Sequence, residues 1–206
     1  MAGLALNRNA LLRRGKKLEY FTVVWNSLEG IAAVLAGISA GSISLVGFGI
    51  DSFIEVISGM ALLWRIYADV RALRRERLER VALRIVGTCF LVLATYVGYE
   101  AVSHLIQRKA PEHSLFGIIV ACCSLMVMPR LSRAKRRVAS ELRSAAMNAD
   151  AKQTEFCVYL SVILLGGLLL NALFGLWWTD PAAGLMMVPL ILREGVLTLL
   201  GEPCCD

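Results

Sequence analysis

The sequence has few charged residues. Asp, Glu, Lys and Arg make up 18% of its 206 residues, whereas hydrophobic residues make up 57% and the mean hydropathy is +0.64. Soluble domains usually carry about 25% charged and roughly 45–50% apolar residues. The shortage of charge therefore argues against a soluble protein. The apolar residues are spread along the whole chain, which is typical of a membrane protein.

Histidine is scarce as well, and the cysteines do not follow the pattern of a secreted protein. The two histidines, His104 and His113, lie near the outer ends of predicted spans, so no histidine base is expected at mid-membrane depth, and we predict neither an enzyme nor a prosthetic group. Four of the six cysteines lie inside apolar runs, and Cys204 and Cys205 lie in the C-terminal tail. A disulfide framework needs a small loop-rich fold in an oxidising compartment, and neither fits here.

Six apolar runs are long enough to cross a membrane, which takes about 20 residues for a helix. They cover residues 21–40, 43–67, 81–106, 114–131, 151–177 and 181–200. The sequence therefore predicts an all-α, polytopic membrane protein with six transmembrane helices. Three segments follow from this prediction: a basic cytoplasmic arm at 1–17, the membrane domain at 18–200, and a short cytoplasmic cysteine-containing tail at 201–206.

The basic residues are distributed unevenly between the two sides of the predicted bundle. Of the 22 lysines and arginines, all but Arg108 and Lys109 fall in segments on one side. Because loops rich in Lys and Arg stay in the cytoplasm, we expect both termini to be cytoplasmic in a multi-pass protein of the cell (inner) membrane. These residues lie between apolar runs and face lipid headgroups, so the net charge of +6 does not predict a nucleic-acid partner.

Two acidic residues, Asp51 and Glu55, lie four apart in the second span and therefore share one helical face. An ionisable side chain inside a span costs about 2.5–3.5 kcal/mol on insertion scales, and such residues are functional candidates by default. Two carboxylates at this spacing repel each other unless a cation or proton lies between them. The alternative is a protonated, hydrogen-bonded structural pair.

Polar residues also form a stripe at the start of the fifth span. Asp150, Gln153, Thr154 and Cys157 follow the spacing i, i+3, i+4 and i+7, and their carboxylate, amide, hydroxyl and thiol can together bind borderline metals. The alternative is a polar helix start at the cytoplasmic interface. Glu29, in the first span, is a further candidate for lining the site, the alternative being a polar contact between helices.

Small residues are concentrated in the first two spans. Gly30 and Gly37 lie seven apart on one face of the first, and Gly49 lies in the second. Glycine lets membrane helices approach closely. We therefore expect tight packing of these helices near the candidate acids.

Two segments resemble the cation diffusion facilitators. Residues 41–45 read GSISL and residues 51–55 read DSFIE, similar to the second helix of that family, where a [DH]-x-x-x-D pair forms half of the central transport site. The WTDP at 178–181 and the ILREG at 191–195 are also similar to the start and end of the sixth helix. The resemblance places Asp51 and Glu55 on the metal-binding positions, with Glu replacing the usual Asp. Because few residues follow the sixth span, the likeness is to the short branch that lacks the C-terminal cytoplasmic domain.

The resemblance implies a homodimer that exports zinc, or a similar ion such as cadmium, iron or manganese, from the cytoplasm by proton antiport and alternating access. In the family's fifth helix the ligands are His-x-x-x-Asp. Either Gln153 with Cys157 or Asp150 with Thr154 falls on those positions. From their depth we prefer Cys157 for the central site and Asp150 for the cytoplasmic mouth. The alternative function is a transport-inactive accessory or metal-sensing protein on the same scaffold.

Overall fold

The computed structural model describes residues 2–67, 72–109, 111–112, 114–142 and 144–200. In these ranges the chain forms six helices: α1 (Ala2–Ala40), α2 (Ile43–Tyr67), α3 (Ala72–Gln107), α4 (Leu115–Leu142), α5 (Ala145–Phe174) and α6 (Thr179–Leu200). Each contains a stretch long and apolar enough to span a membrane. The predicted all-α fold with six spanning helices is confirmed. The tail with Cys204 and Cys205, like His113, lies outside the described residues.

Several helices continue beyond the apolar runs that predict them. The basic arm is an uninterrupted part of α1 from Ala2 onward, and α3 already begins at Ala72. At the same end of the bundle, α4 continues to Leu142, and α5 begins at Ala145 after its N-cap, Ser144. These extensions are rich in Ala, Leu, Arg and Glu, which favour helix. Hydropathy detects only the part of a helix that lies in lipid. It therefore predicts helices that are shorter than those in the structure.

The helices pack as three principal pairs, α1 with α2, α4 with α5, and α3 with α6. Glycines allow the first pair to approach closely: a Cβ atom added at Gly49 would lie 2.9 Å from the Val34 backbone nitrogen and 3.0 Å from the Gly30 carbonyl oxygen. The predicted tight packing of α1 against α2 is confirmed. Glycines also allow α3 and α6 to approach closely, since a Cβ at Gly87 would lie 3.0 Å from the Gly195 carbonyl oxygen.

The start of α2 is tied to the start of α6 by a buried carboxylate. α1 ends at Ala40, and the next residue, Gly41, has a φ of 65° that turns the chain directly into α2. Asp180 of α6 accepts hydrogen bonds from the Ile43 backbone N–H at 2.9 Å, from the Ser42 hydroxyl at 2.5 Å and from the Ser44 hydroxyl. The carboxylate thus satisfies N-terminal groups that the helix leaves open. This contact fixes the position of α2, which carries the two predicted acids.

Candidate metal site

Asp51 and Glu55 lie deep inside the bundle, with 3% and 1% of their surface exposed. α2 packs against α1, α3, α5 and α6, so its polar face is enclosed by protein. On the α5 side, the Thr154 hydroxyl donates a hydrogen bond of 2.5 Å to Glu55 Oε1. The two polar stripes predicted from sequence therefore meet at this level of the bundle.

The four predicted residues of α5 are all buried, and they lie at different levels relative to α2. Thr154 is level with Glu55, and Asp150 lies one turn nearer the end that holds the N-terminus. Cys157 lies farther along α5, within electrostatic reach of Glu29, Glu55 and Asp51. Gln153 is also buried, and its Nε2 forms no hydrogen bond with any described group.

Glu29 of α1 also faces this interior. Its carboxylate accepts hydrogen bonds from Trp25 Nε1 and from the Ser52 hydroxyl of α2, both at 3.2 Å. The charged groups near Asp51 are the acids Glu55, Glu29 and Glu194. Among the described residues, neither Asp51 nor Glu29 forms an ion pair. We call Glu29, Asp51 and Cys157 the acid layer.

One lysine of the basic segments, Lys135 on α4, is buried inside the bundle. Lys135 belongs to the basic residues that the sequence predicts to face lipid headgroups, but it is fully buried. Its Nζ lies 2.6 Å from Asp150 Oδ2, 3.2 Å from Glu19 Oε2 and 4.0 Å from Glu55 Oε1. It also donates a hydrogen bond of 3.1 Å to the Thr154 hydroxyl. We call these five residues the lysine cluster.

The spacing of residues along α4 shows that Lys135 lies on the buried face, which composition alone does not show. Its buried positions repeat at helical spacing along one face: Met128, Leu131, Ser132, Lys135, Val138 and Ala139. Lys135 lies on this stripe, whereas its exposed neighbour Arg136 points outward and pairs with the partly exposed Glu155. A count of Lys and Arg for membrane orientation treats the two residues alike. Only the period of the helix separates them.

Asn26 also belongs to the site, three residues before Glu29 on the same stripe of α1. Its amide lies beside the Glu55 carboxylate, yet neither its oxygen nor its nitrogen forms a hydrogen bond of good geometry with a described group. Buried polar atoms are rarely left without partners. An amide in this state next to a carboxylate is suited to meet a ligand that binds between them.

The arrangement contains metal-binding groups, but they do not converge on a common point. Among the described residues, no three His, Cys, Asp or Glu side chains are grouped as they would be around a metal ion. Glu55 and Asp150 instead approach Lys135, each with one oxygen. Their other oxygens, Glu55 Oε2 and Asp150 Oδ1, are buried without a hydrogen-bond partner in the described part of the chain.

Comparison with known families identifies the bundle. The cation efflux transmembrane domain matches residues 21–200, which extend from within the first span to the end of the sixth. The chain belongs to the cation efflux family. Cation efflux proteins transport divalent metal cations, and this chain is accordingly a multi-pass membrane protein of a transporter family.

Two known proteins are similar to this chain over most of its length. The chain is 27% identical over 188 residues to the uncharacterized transporter MJ0449 of Methanocaldococcus jannaschii, covering 88% of this chain and 66% of that protein. It is 24% identical over 184 residues to transmembrane protein 163 of Xenopus laevis, covering 89% of this chain and 65% of that protein. The chain thus spans just under two thirds of the length of each relative.

Proposed function

We propose that the chain exports zinc, or a similar divalent cation, from the cytoplasm through the site that Asp51 and Glu55 form with α5. One observation carries the proposal: two acids four residues apart on α2 are buried together against the polar stripe of α5 in a cation efflux bundle. Cadmium, iron and manganese are the alternative ions. The family's cycle, alternating access coupled to proton antiport in a homodimer, is proposed with it.

The chemistry of the acid layer supports a divalent ion as substrate. Glu29 and Asp51 have acids as their charged neighbours, and none of the ion pairs in the described ranges includes them. A buried carboxylate without a counter-charge is strongly unfavourable, and direct ligation of a cation relieves it. The Cys157 thiol adds a soft ligand to these hard oxygens, a mixture that suits zinc and cadmium better than magnesium or calcium.

Proton exchange follows from the same ligands. Carboxylates and a thiolate bind a metal only when they are deprotonated, so metal and protons compete for the site. Zinc affinity of the purified protein should therefore fall as the pH is lowered from 7.5 to 6. An affinity that does not change over this range would contradict proton coupling at these residues.

The decisive experiment is zinc flux into proteoliposomes with an imposed proton gradient. The double variant Asp51→Asn/Glu55→Gln keeps the size of both side chains and removes their charge, and it should lose most of the flux. Glu155→Gln is the matched control, because this acid of α5 is partly exposed and pairs with Arg136 away from the site. Parental flux in the double variant would show that the ion does not pass these acids.

A second function is favoured by Lys135. A lysine already paired with Asp150 and Glu55 could hold the route shut, as in an accessory or metal-sensing protein that has lost transport. That protein would fold and dimerise but would carry no divalent ion, even with saturating zinc and a proton gradient. The same flux assay on the parent protein therefore separates the two functions.

The assembly and location are part of the proposal. We place the protein in the cell (inner) membrane, with both termini cytoplasmic, as a homodimer held by its membrane helices. The mass of the particle in detergent and in lipid nanodiscs tests the assembly. A monomer in both environments would contradict the dimer.

A further inference from the structure

We propose that the Lys135 ammonium is the resident cation of the metal route. It occupies the position between Asp150 and Glu55 when no metal is bound, and a divalent cation gains these two acids only when Lys135 moves away. This inference rests on the proposed function and adds to it a residue that competes with the transported ion.

Four helices build the position that Lys135 fills. Glu19 comes from α1, Glu55 from α2, and Asp150 and Thr154 from α5, while the lysine reaches in from α4. Each of these side chains is at least 96% buried. The ammonium is therefore enclosed by oxygen ligands drawn from the helices that also hold the acid layer. This is the environment that a transported cation would need.

Asp150 and Glu55 cannot bind Lys135 and a metal ion at the same time. The ammonium lies 2.6 Å from Asp150 Oδ2 and 4.0 Å from Glu55 Oε1, so it faces both acids at once. A zinc ion needs oxygen ligands at about 2.0–2.2 Å. At such distances a divalent ion and an ammonium that share two carboxylates would repel each other strongly in a poorly screened interior.

A second observation shows that the lysine leaves ligand positions unused. Asp150 Oδ1 and Glu55 Oε2 are buried and have no hydrogen-bond partner among the described residues. Three carboxyl groups surround the Lys135 ammonium, at 2.6 Å (Asp150), 3.2 Å (Glu19) and 4.0 Å (Glu55).

A lysine is chemically suited to leave and return. Its charge is a compact point at the end of a flexible four-carbon chain, unlike the rigid fork of arginine. Lys135 lies seven residues before α4 ends at Leu142, and a swing of its head group toward that end of the bundle is the movement that the proposal requires. When the metal is released, the returning ammonium would keep the acids paired inside the membrane.

The rival explanation is a purely structural ion pair, and the two differ in the sign of one effect. If Lys135 competes with the metal, replacing it with a neutral side chain should strengthen metal binding. If Lys135 only supports the fold and the positions of the acids, the same change should weaken binding or leave it unaltered.

The test is zinc and cadmium titration of the purified protein in detergent. Lys135→Gln should lower the apparent Kd at least tenfold. Because three acids without a lysine could impair folding, the second variant is Lys135→Gln/Glu19→Gln, which removes one positive and one negative group and keeps the formal charge of the parent. It should show the same gain. Arg136→Gln, which breaks an exposed pair one residue along α4, should stay within twofold of the parent.

The outcomes separate the two proposals. Tighter binding by the Lys135 variants supports the resident cation, and binding that appears only in those variants supports it together with the transport-inactive function. Unchanged or weaker binding in variants that remain monodisperse and helical overturns the resident cation alone. If neither the parent nor any variant binds a divalent ion, the proposed metal site is wrong as well.

Discussion

The contact between Asp180 and the start of α2 yields a stability prediction. The fully buried carboxylate accepts three hydrogen bonds, from the Ile43 N–H and the hydroxyls of Ser42 and Ser44. Asp180→Ala removes both oxygens and leaves all three donors inside the protein. We expect this change to destabilise the fold and to loosen the register of α2 against α6.

The expected loss can be worked out from the donors. A buried N–H without a partner costs about 1–3 kcal/mol, and hydrogen bonds to a charged acceptor contribute about 1.5–3 kcal/mol each. The hydroxyls of Ser42 and Ser44 are 3.5 Å apart and can rotate toward each other, but the Ile43 N–H cannot turn. Because neighbouring contributions are not additive, we expect a total loss of about 3–5 kcal/mol. Asp180→Asn keeps one acceptor oxygen and should lose less.

The assay is equilibrium unfolding by SDS in mixed micelles, followed by the fluorescence of the four tryptophans. Glu112→Ala is the control, because Glu112 is an exposed acid at the same end of the bundle. The control should change the free energy of unfolding by no more than about 0.5 kcal/mol. If Asp180→Ala loses no more than Glu112→Ala, the carboxylate does not hold α2 in the way described.

Three further predictions concern packing, orientation and metal preference. Gly49→Ala would place a Cβ 2.9 Å from the Val34 backbone nitrogen and should cost about 1–3 kcal/mol in the same SDS assay. Gly166→Ala, whose Cβ would meet nothing within 4 Å, should be neutral or slightly stabilising; equal losses in both would refute the packing argument. A cysteine placed at Ser140 in a cysteine-free background should resist an impermeant thiol reagent applied to intact cells, whereas labelling from outside would reverse the proposed orientation. Cys157→Asp should shift preference from cadmium toward manganese, measured as the ratio of their Kd values, because an oxygen ligand replaces a thiolate; an unchanged ratio would remove Cys157 from the site.

Properties that depend on local composition could be predicted from the sequence alone. Six spans follow from run lengths, since a membrane requires about 20 apolar residues in a row wherever they occur. The shared face of Asp51 and Glu55, and the stripe from Asp150 to Cys157, follow from the helical period alone. The close approach of α1 and α2 at Gly49 was predictable for a similar reason, because glycine is the residue that permits it.

Tertiary structure decided which of these stripes meet and at what level. Depth estimated from the sequence favoured Cys157 as the partner of Glu55, whereas the hydrogen bond from Thr154 shows that Thr154 is the residue level with it. Lys135 looked like any other basic residue beside a membrane. Its burial depends on the rotation of α4 relative to three other helices, which composition does not encode.

The Asp180 contact also could not be predicted from the sequence, because its partners are far away along the chain. In sequence, this residue marks the start of α6, and its role in closing the start of α2 depends on contacts with residues more than 130 positions away. Local sequence determines which helices form and which faces are polar, because these follow from interactions within a few turns. The partners of buried charged groups are decided only when the helices pack, because such a group needs hydrogen-bond donors or a counter-charge, and the fold decides which of these lie within reach.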